Sequence, residues 1–287
     1  MKETINFGDL PPEYADPETA GIIMIPVAYD GTSTWMKGAD KGPDAIIEAS
    51  ANMELYDIET DSEVYKKGIF TEKAIGGEIS TIEMIEAVRH TTEDYLERDR
   101  FTVVIGGEHS VSTGSVQAHA ERYTDLSVLQ LDAHADLRET YNGSKYNHAC
   151  VMARIREMCP IVQVGIRSMD SSEKERLDTS RVFFAEHLQT NTDWIEKVVT
   201  TLTDNVYVTL DLDVFDPAIM PSTGTPEPGG LGWYDVLKLM RAISDNKSIV
   251  GFDVVELCPD DRNKAPDFLA AKLIYKLLSY TFGNRNG

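Results

Sequence analysis

Residues 128–138 read VLQLDAHADLR, an apolar run that ends by setting Asp132, His134 and Asp136 on alternate positions. Groups of this kind are costly to bury and are tolerated where something compensates their charge. Similar residues recur elsewhere: His109 in GGEHS after FTVVI, Asp211 and Asp213 in LDLD after NVYVT, and Glu256 after SIVGFDVV. A lone DxD at a strand end is ordinarily a cap or a turn, and GG before an acid is ordinarily turn chemistry. Jointly, these residues form a convergent set. Four aspartates and two imidazoles exceed what one divalent ion needs, and an oxygen-rich donor mixture suits Mn²⁺ better than structural zinc. Two ions sharing bridging carboxylates would use all six and would lower the pKa of a bridging water.

Convergence of that kind requires elements that end at one edge. The runs 21–27, 101–106, 126–131, 161–166, 181–185, 205–212 and 248–257 read as strands, several too continuously apolar to have a wet face. Amphipathic stretches lie between them at 43–56, 80–98, 110–123, 148–158, 192–202 and 232–243, with a last helix over 266–282. Such alternation implies a parallel sheet with helices on both sides, and ligands of such sheets bind beyond the carboxyl ends of the strands. No repeat, linker or charge block marks a boundary, so residues 1–287 read as a single α/β domain. The Pro/Gly-rich stretches YDGTSTWMKGADKGPDA and FDPAIMPSTGTPEPGGLGW read as ordered functional loops.

Composition narrows the partners. With 48 acidic and 27 basic side chains the net charge is −21, which argues against nucleic acid or an anionic membrane as partner; it would suit a small cation, although most of it reads as an acidic solubilising surface. No apolar stretch approaches a membrane span, and the polar KETINFGDLPPEYADPE following Met1 is not a secretion signal. Cys150, Cys159 and Cys258 show no CxxC spacing, so a reducing cytoplasm is the expected location. His90, His119 and His187 lack chemical company and read as ordinary histidines, and Cys258 reads as packing.

GGEHS, LDAHADLR and DLDVFDP, in that order and spacing, resemble the three signatures of the ureohydrolases, the arginase and agmatinase family of dimanganese enzymes that hydrolyse guanidino groups to urea. The likeness extends from IPVAYDGTS and KGPDAI to VVELCP. It implies an arginase- and deacetylase-like three-layer α/β/α sandwich with a mainly parallel central sheet. It implies two Mn²⁺ per chain, one held by His109, Asp132, Asp136 and Asp211 and the other by Asp132, His134, Asp211 and Asp213, with Asp132 and Asp211 bridging. His148 matches the mobile-loop histidine that protonates the departing amine, and Glu256 the carboxylate that receives the guanidinium. Attack of hydroxide on the guanidino carbon and collapse of a tetrahedral intermediate follow from the same likeness. It also implies a homo-oligomer, trimeric or hexameric.

Small departures are present: Glu108 where many relatives have Asp, Ser222 opening STGTPEPGG, and Leu257–Cys258 where polar residues are more usual. None removes a ligand. A zinc-dependent deacylase would need fewer ligands, and a catalytically dead relative would be expected to lose one. The segment DLRETYNGSKYNHAC resembles the agmatinase pattern rather than the arginase one. Agmatine is therefore the expected substrate, with putrescine and urea as products. Guanidinobutyrate, an aminopropylated agmatine and arginine are the alternatives.

Overall fold

The computed structural model describes residues 6–283, so the polar opening at residues 1–5 lies outside the described residues. Among the described residues, nine strands form one sheet: β1 (Ile22–Ala28), β2 (Ile69–Thr71), β3 (Ile75–Gly76), β4 (Phe101–Gly106), β5 (Leu126–Leu131), β6 (Ile161–Ile166), β7 (Val182–Phe184), β8 (Asn205–Asp211) and β9 (Ser248–Val255). Their order is β2-β1-β4-β9-β8-β5-β6-β7, with β3 also on β1, and every pairing is parallel. The apolar runs expected as strands all form. The two short edge strands β2 and β3 were not expected, because three and two residues carry no alternation to read.

Eight α-helices of the described residues accompany them: α1 (Gly42–Ser50), α2 (Thr81–Glu97), α3 (Ser112–Arg122), α4 (Val151–Ile155), α5 (Ala185–Leu188), α6 (Trp194–Thr201), α7 (Trp233–Asn246) and α8 (Ala265–Phe282). The start of α2 is set by the S-T-I-E pattern, in which Ser80 and Glu83 satisfy each other's backbone N–H groups at 3.3 and 2.8 Å. The first helix stops at Ser50, short of the expected residue 56. There the Ser50 hydroxyl donates to the Ile47 carbonyl at 2.6 Å and accepts the Gly8 N–H, tying the end of the helix to the N-terminal segment.

Strand side chains alternate between two cores. Ile22, Met24, Val103 and Ile105 face the layer of α1, α6, α7 and α8, whereas Ile23, Ile25, Val27 and Val104 lie in a separate cluster with Met84, Ile85 and Val88 of α2. Helices α3 and α4 continue that second layer over Val128, Ile161 and Tyr207. Apolar side chains on both faces explain why the strands read as unbroken runs. Among the described residues, no helix is long and apolar enough to cross a membrane.

The topology selects four strands for chemistry. The chain builds β1 and β4, jumps to β5, runs outward through β6 and β7, then returns to fill the gap with β8 and β9. The adjacent ends of β4, β9, β8 and β5 therefore meet where the winding reverses, the usual position for a ligand site in such sheets.

His119 of α3 is fully buried, its Nδ1 donating to the Ser115 carbonyl at 2.8 Å and its ring packed 4.7 Å from Tyr207. Burial holds its pKa down to about 4. The folded state thus prefers the neutral ring, while the unfolded chain binds a proton near its ordinary value of about 6.5. Stability is complete above that value and falls as pH drops from about 6.5 towards 4, by about 3 kcal/mol if the ring stays buried. Urea titrations at pH 7 and pH 4.5 should show a smaller acid loss for His119→Gln than for the wild type, and equal losses would refute this assignment.

Candidate active site and metal centre

Each chemical side chain sits just past a strand. His109 opens the turn after β4, Asp132, His134 and Asp136 follow β5, Asp211 closes β8 with Asp213 in the next turn, and Glu256 follows β9. Gly107 is required here, because a Cβ would lie 2.0 Å from the Tyr29 carbonyl oxygen, the same carbonyl that accepts the Glu108 N–H. Asp136 and Glu256 have φ of +53° and +68°. Left-handed backbone at two non-glycine residues facing one cavity is the kind of local strain that concentrates at functional sites.

The geometry brings all six expected ligands together. His109 Nδ1 lies 3.1 Å from Asp132 Oδ2, 3.1 Å from Asp136 Oδ2 and 3.4 Å from Asp211 Oδ2. His134 Nδ1 lies 2.9 Å from Asp213 Oδ2 and 3.6 Å from Asp132 Oδ1. Two groups have donor atoms within 4.8 Å of one another and could each hold a metal ion: His109, Asp132 and Asp211, and Asp132, His134 and Asp213. Asp132 belongs to both, Asp211 only to the first, and Asp136 stands beside the first through its contact with His109.

The donor set fits a metal pair on two further observations. His109 Nδ1 is buried and makes no hydrogen bond despite three carboxylates around it. Its other nitrogen, Nε2, lies 2.9 Å from Thr209 Oγ1, which donates to Asp253 Oδ1 at 2.7 Å. A proton on Nε2 satisfies that chain and leaves a lone pair on Nδ1 for a cation. The second observation is electrostatic. Burial and then Asp132 push Asp136 up to about 7, burial and then Asp213 hold Asp211 well above the carboxylate range, and burial and then Asp132 raise Asp213. For His109 burial opposes protonation, but Asp132, Asp136 and Asp211 outweigh it, and Asp213 and Asp132 likewise take His134 up to about 12. Fully ionised, four carboxylates against two imidazoles would carry an excess of negative charge, and the raised values express the cost of that state, which bound divalent cations would offset.

Glu256 Oε1 accepts the His109 N–H at 2.7 Å, and burial and then Glu108 hold its pKa well up. Its Oε2 is left against Gly224, where an added Cβ would come to 3.4 Å. His148 opens the short turn His148–Cys150 and lines the same cavity of about 330 Å³, with Ser33 and Tyr141 also in the lining and Trp35, Met36 and Met169 exposed at its rim. Burial, then His109 and His134, lower its pKa to about 4. His90 and His187 are on the surface, His119 is in the core, and Cys258 Sγ rests 3.3 Å from the Lys37 carbonyl oxygen.

Of Leu137, Arg138 and Glu139, which follow Asp136 in the segment that resembles the agmatinase pattern, only Arg138 lines the cavity. Leu137 is buried in the core, and Glu139 turns outward to Arg154 and Arg176, each at 2.8 Å. Arg138 lies 4.5 Å over the Tyr141 ring and 3.8 and 3.9 Å from Glu173 and Asp170.

Sequence reasoning missed the layer beneath. Gln163, Gln130, Thr209 and Asp253 are register partners across β6, β5, β8 and β9, and all are buried. Gln163 Nε2 donates to Gln130 Oε1 at 2.5 Å, and Gln130 Nε2 donates to Asp132 Oδ2 at 2.7 Å. One polar residue near the end of each apolar strand was the available signal. Arg167 was also missed: it donates to the carbonyls of Asp213, Glu227 and Pro228 at 2.6, 2.8 and 3.1 Å, joining the aspartate turn to the Gly-rich loop.

The Arginase family model matches residues 20–279. The chain belongs to the arginase family. It is 36% identical over 282 residues to the N(1)-aminopropylagmatine ureohydrolase of Synechocystis, covering 93% of this chain and 90% of that one. To the agmatinase of Pyrococcus horikoshii it is 32% identical, covering 92% and 93% of the two chains. The crystal structure of the agmatine ureohydrolase of Thermoplasma volcanium superposes with a TM-score of 0.85 at 32% identity, covering 92% of this chain and 90% of that one. This protein is thus a ureohydrolase, a hydrolase of guanidino C–N bonds, on a three-layer α/β/α sandwich.

The buried Thr209 hydroxyl gives the site a direct test. In Thr209→Val the His109 Nε2–H loses its acceptor, and loss of such an outer partner typically weakens metal binding about 10–100-fold. Chelator-competition titrations should show that weakening at a temperature where both proteins are folded, since Asp253 also loses a buried hydrogen bond and the melting temperature should fall. Unaltered metal retention would mean that Thr209 does not orient His109.

Proposed function

We propose that this ureohydrolase converts agmatine to putrescine and urea. The observation that carries the reading is one cavity lined by the metal-suited aspartates and histidines, the free face of Glu256 and His148. His109, Asp132, Asp136 and Asp211 would hold one Mn²⁺, and Asp132, His134, Asp211 and Asp213 the other. When bound, such a pair supplies hydroxide from water at neutral pH.

The chain's own residues do the remaining work. Glu256, anchored through Oε1, offers Oε2 to the planar guanidinium, whose fixed N–H donors match a carboxylate. His148 is neutral at rest, so it gives a proton to the departing amine only after taking one up during the reaction. His148→Ala should keep the bound metals and lower kcat by about 10²–10⁴-fold, and full turnover in that variant would remove His148 from the mechanism.

Selection against arginine rests on what the rim leaves unoffered. Leu137 and Glu139 point elsewhere, and Arg138 is already held against Tyr141, Asp170 and Glu173, so the segment after Asp136 has little to offer an α-carboxylate. A buried carboxylate without donors is strongly disfavoured. The expected kcat/KM for agmatine exceeds that for arginine by at least ~100-fold, about 2.7 kcal/mol of transition-state discrimination. Urea release measured under identical Mn²⁺ and pH conditions decides it, and equal or better use of arginine overturns the agmatine reading. Because Arg138 is itself a cation at the rim, 4-guanidinobutyrate belongs in the same assay. A preference for it would keep the chemistry and change the substrate.

A second reading is N(1)-aminopropylagmatine, the substrate in the name of the Synechocystis relative. The open rim, where Trp35 is 76% exposed, supports room for a longer tail. A higher kcat/KM for the aminopropylated compound than for agmatine would select this reading.

A further inference from the structure

The loop after β1 reaches across the mouth of the site to His148, although 116 residues separate the two in sequence. Thr32 Oγ1 lies 3.0 Å from the His148 backbone nitrogen and 3.0 Å from His148 Nδ1. One hydroxyl therefore meets both the main chain and the ring of the same histidine. The opposite flank of the ring is closed by Tyr141, edge-on at 6.0 Å.

The hydrogen count gives this contact a direction. A hydroxyl donates one hydrogen bond and accepts two. Thr32 accepts the His148 backbone N–H, and an imidazolium, protonated at both ring nitrogens, can only donate at Nδ1. The remaining lone pair is free to accept a proton held on Nδ1. Nε2 is then the nitrogen left to the cavity.

The loop that carries Thr32 is itself fixed. Asp30 accepts the Gly38 N–H at 2.7 Å and the Lys37 ammonium at 3.1 Å, closing residues 30–38 into a ring, and the Tyr29 carbonyl is pinned by the Glu108 N–H at 3.0 Å. Thr32 is thus held by the ends of β1 and β4, which also place His109. The proton donor and the metal ligands share one rigid reference.

We propose that Thr32 is a positioning residue for the reaction, setting the ring orientation and tautomer of His148 so that Nε2 faces the leaving amine. This rests on His148 being the proton donor. The imidazolium gives its Nε2 proton to the amine nitrogen as the C–N bond breaks, and the ring returns to the neutral form that carries hydrogen on Nδ1, still donated to Thr32. Thr32 touches neither substrate nor metal in this scheme. Its loss should slow the chemical step without weakening substrate binding.

The test is a double-mutant cycle on the Mn²⁺-loaded enzyme with agmatine, together with the aminopropylated compound in case that is the substrate. Thr32→Val removes the hydroxyl at constant shape and is expected to lower kcat about 10–100-fold, a range typical of misplaced catalytic groups, with KM within about twofold. Thr32→Ser restores the hydroxyl and should recover kcat to within about threefold of wild type. In the His148→Ala background, Thr32→Val should cost less than about twofold further, because residues acting through one another are not additive. Thr32→Ala makes the same deletion should the valine variant fail to fold, as judged by its melting temperature. Wild-type kcat in Thr32→Val, failure of serine to rescue, or additive losses overturn the inference. If His148→Ala keeps full turnover, the proton-donor reading itself has failed. If His148→Ala is crippled while Thr32→Val is not, only the positioning role falls.

Discussion

Four aspartates converge in a region where each is almost completely sealed from water, and the rest of the architecture follows from making that tolerable. An isolated buried carboxylate carries a penalty of several kcal/mol, and mutual repulsion among four adds to it. The two imidazoles offset part of this charge, and the geometry around Asp132 is suited to metal ions, which would offset the remainder. The requirement also explains the large two-sided core. A sheet buried on both faces supplies enough apolar contact to hold a charged cluster that would be unfavourable by itself.

A buried charge cluster must also be aimed, and the polar row across the four strands does this. Gln163 orients Gln130, Gln130 holds Asp132, and Asp253 orients Thr209, which fixes the ring of His109. These side chains sit on paired residues of neighbouring strands, so the sheet register transmits their geometry to the site. Arg167 performs the corresponding task for the loops: its fork of N–H donors gathers carbonyls from two segments, adding to the backbone hydrogen bonds that already join them. A lysine there would present a point charge rather than a fork, and could not hold both segments in the same geometry.

Much of this was legible because the physical signals are local and strong. Continuous apolar runs such as LSVLQL and IVQVGI announce strands buried on both faces, and acids or imidazoles directly after them announce the productive edge. All six expected ligands, His148 and Glu256 lie around one cavity or its immediate wall. What was not legible depends on distance. Edge strands β2 and β3 exist only because β1 offers them a partner. The fates of Leu137 and Glu139 depend on a core cluster and on two arginines that sequence order does not place nearby. The Thr32 contact joins residues from the first and middle parts of the chain, and nothing in YDGTSTW indicates a histidine partner.

The site is therefore mechanically asymmetric. Its floor is built on strand ends, with ligands braced by register-paired side chains and by backbone held in an unfavourable region at Asp136 and Glu256. Its rim is built on loops, where Trp35, Met36 and Met169 remain partly exposed and Arg138 is held mainly by stacking and longer charge contacts. Chemistry at the guanidino carbon needs sub-ångström placement and falls to the floor, whereas tail recognition falls to the rim. A rim residue can change without disturbing a carboxylate on the floor, so one ureohydrolase scaffold can serve guanidines with different tails. That separation explains why the metal chemistry was readable from strand-end residues, and the reaction class from the family likeness of the motifs that hold them, while the substrate depends on loop side chains whose placement only the folded chain reveals.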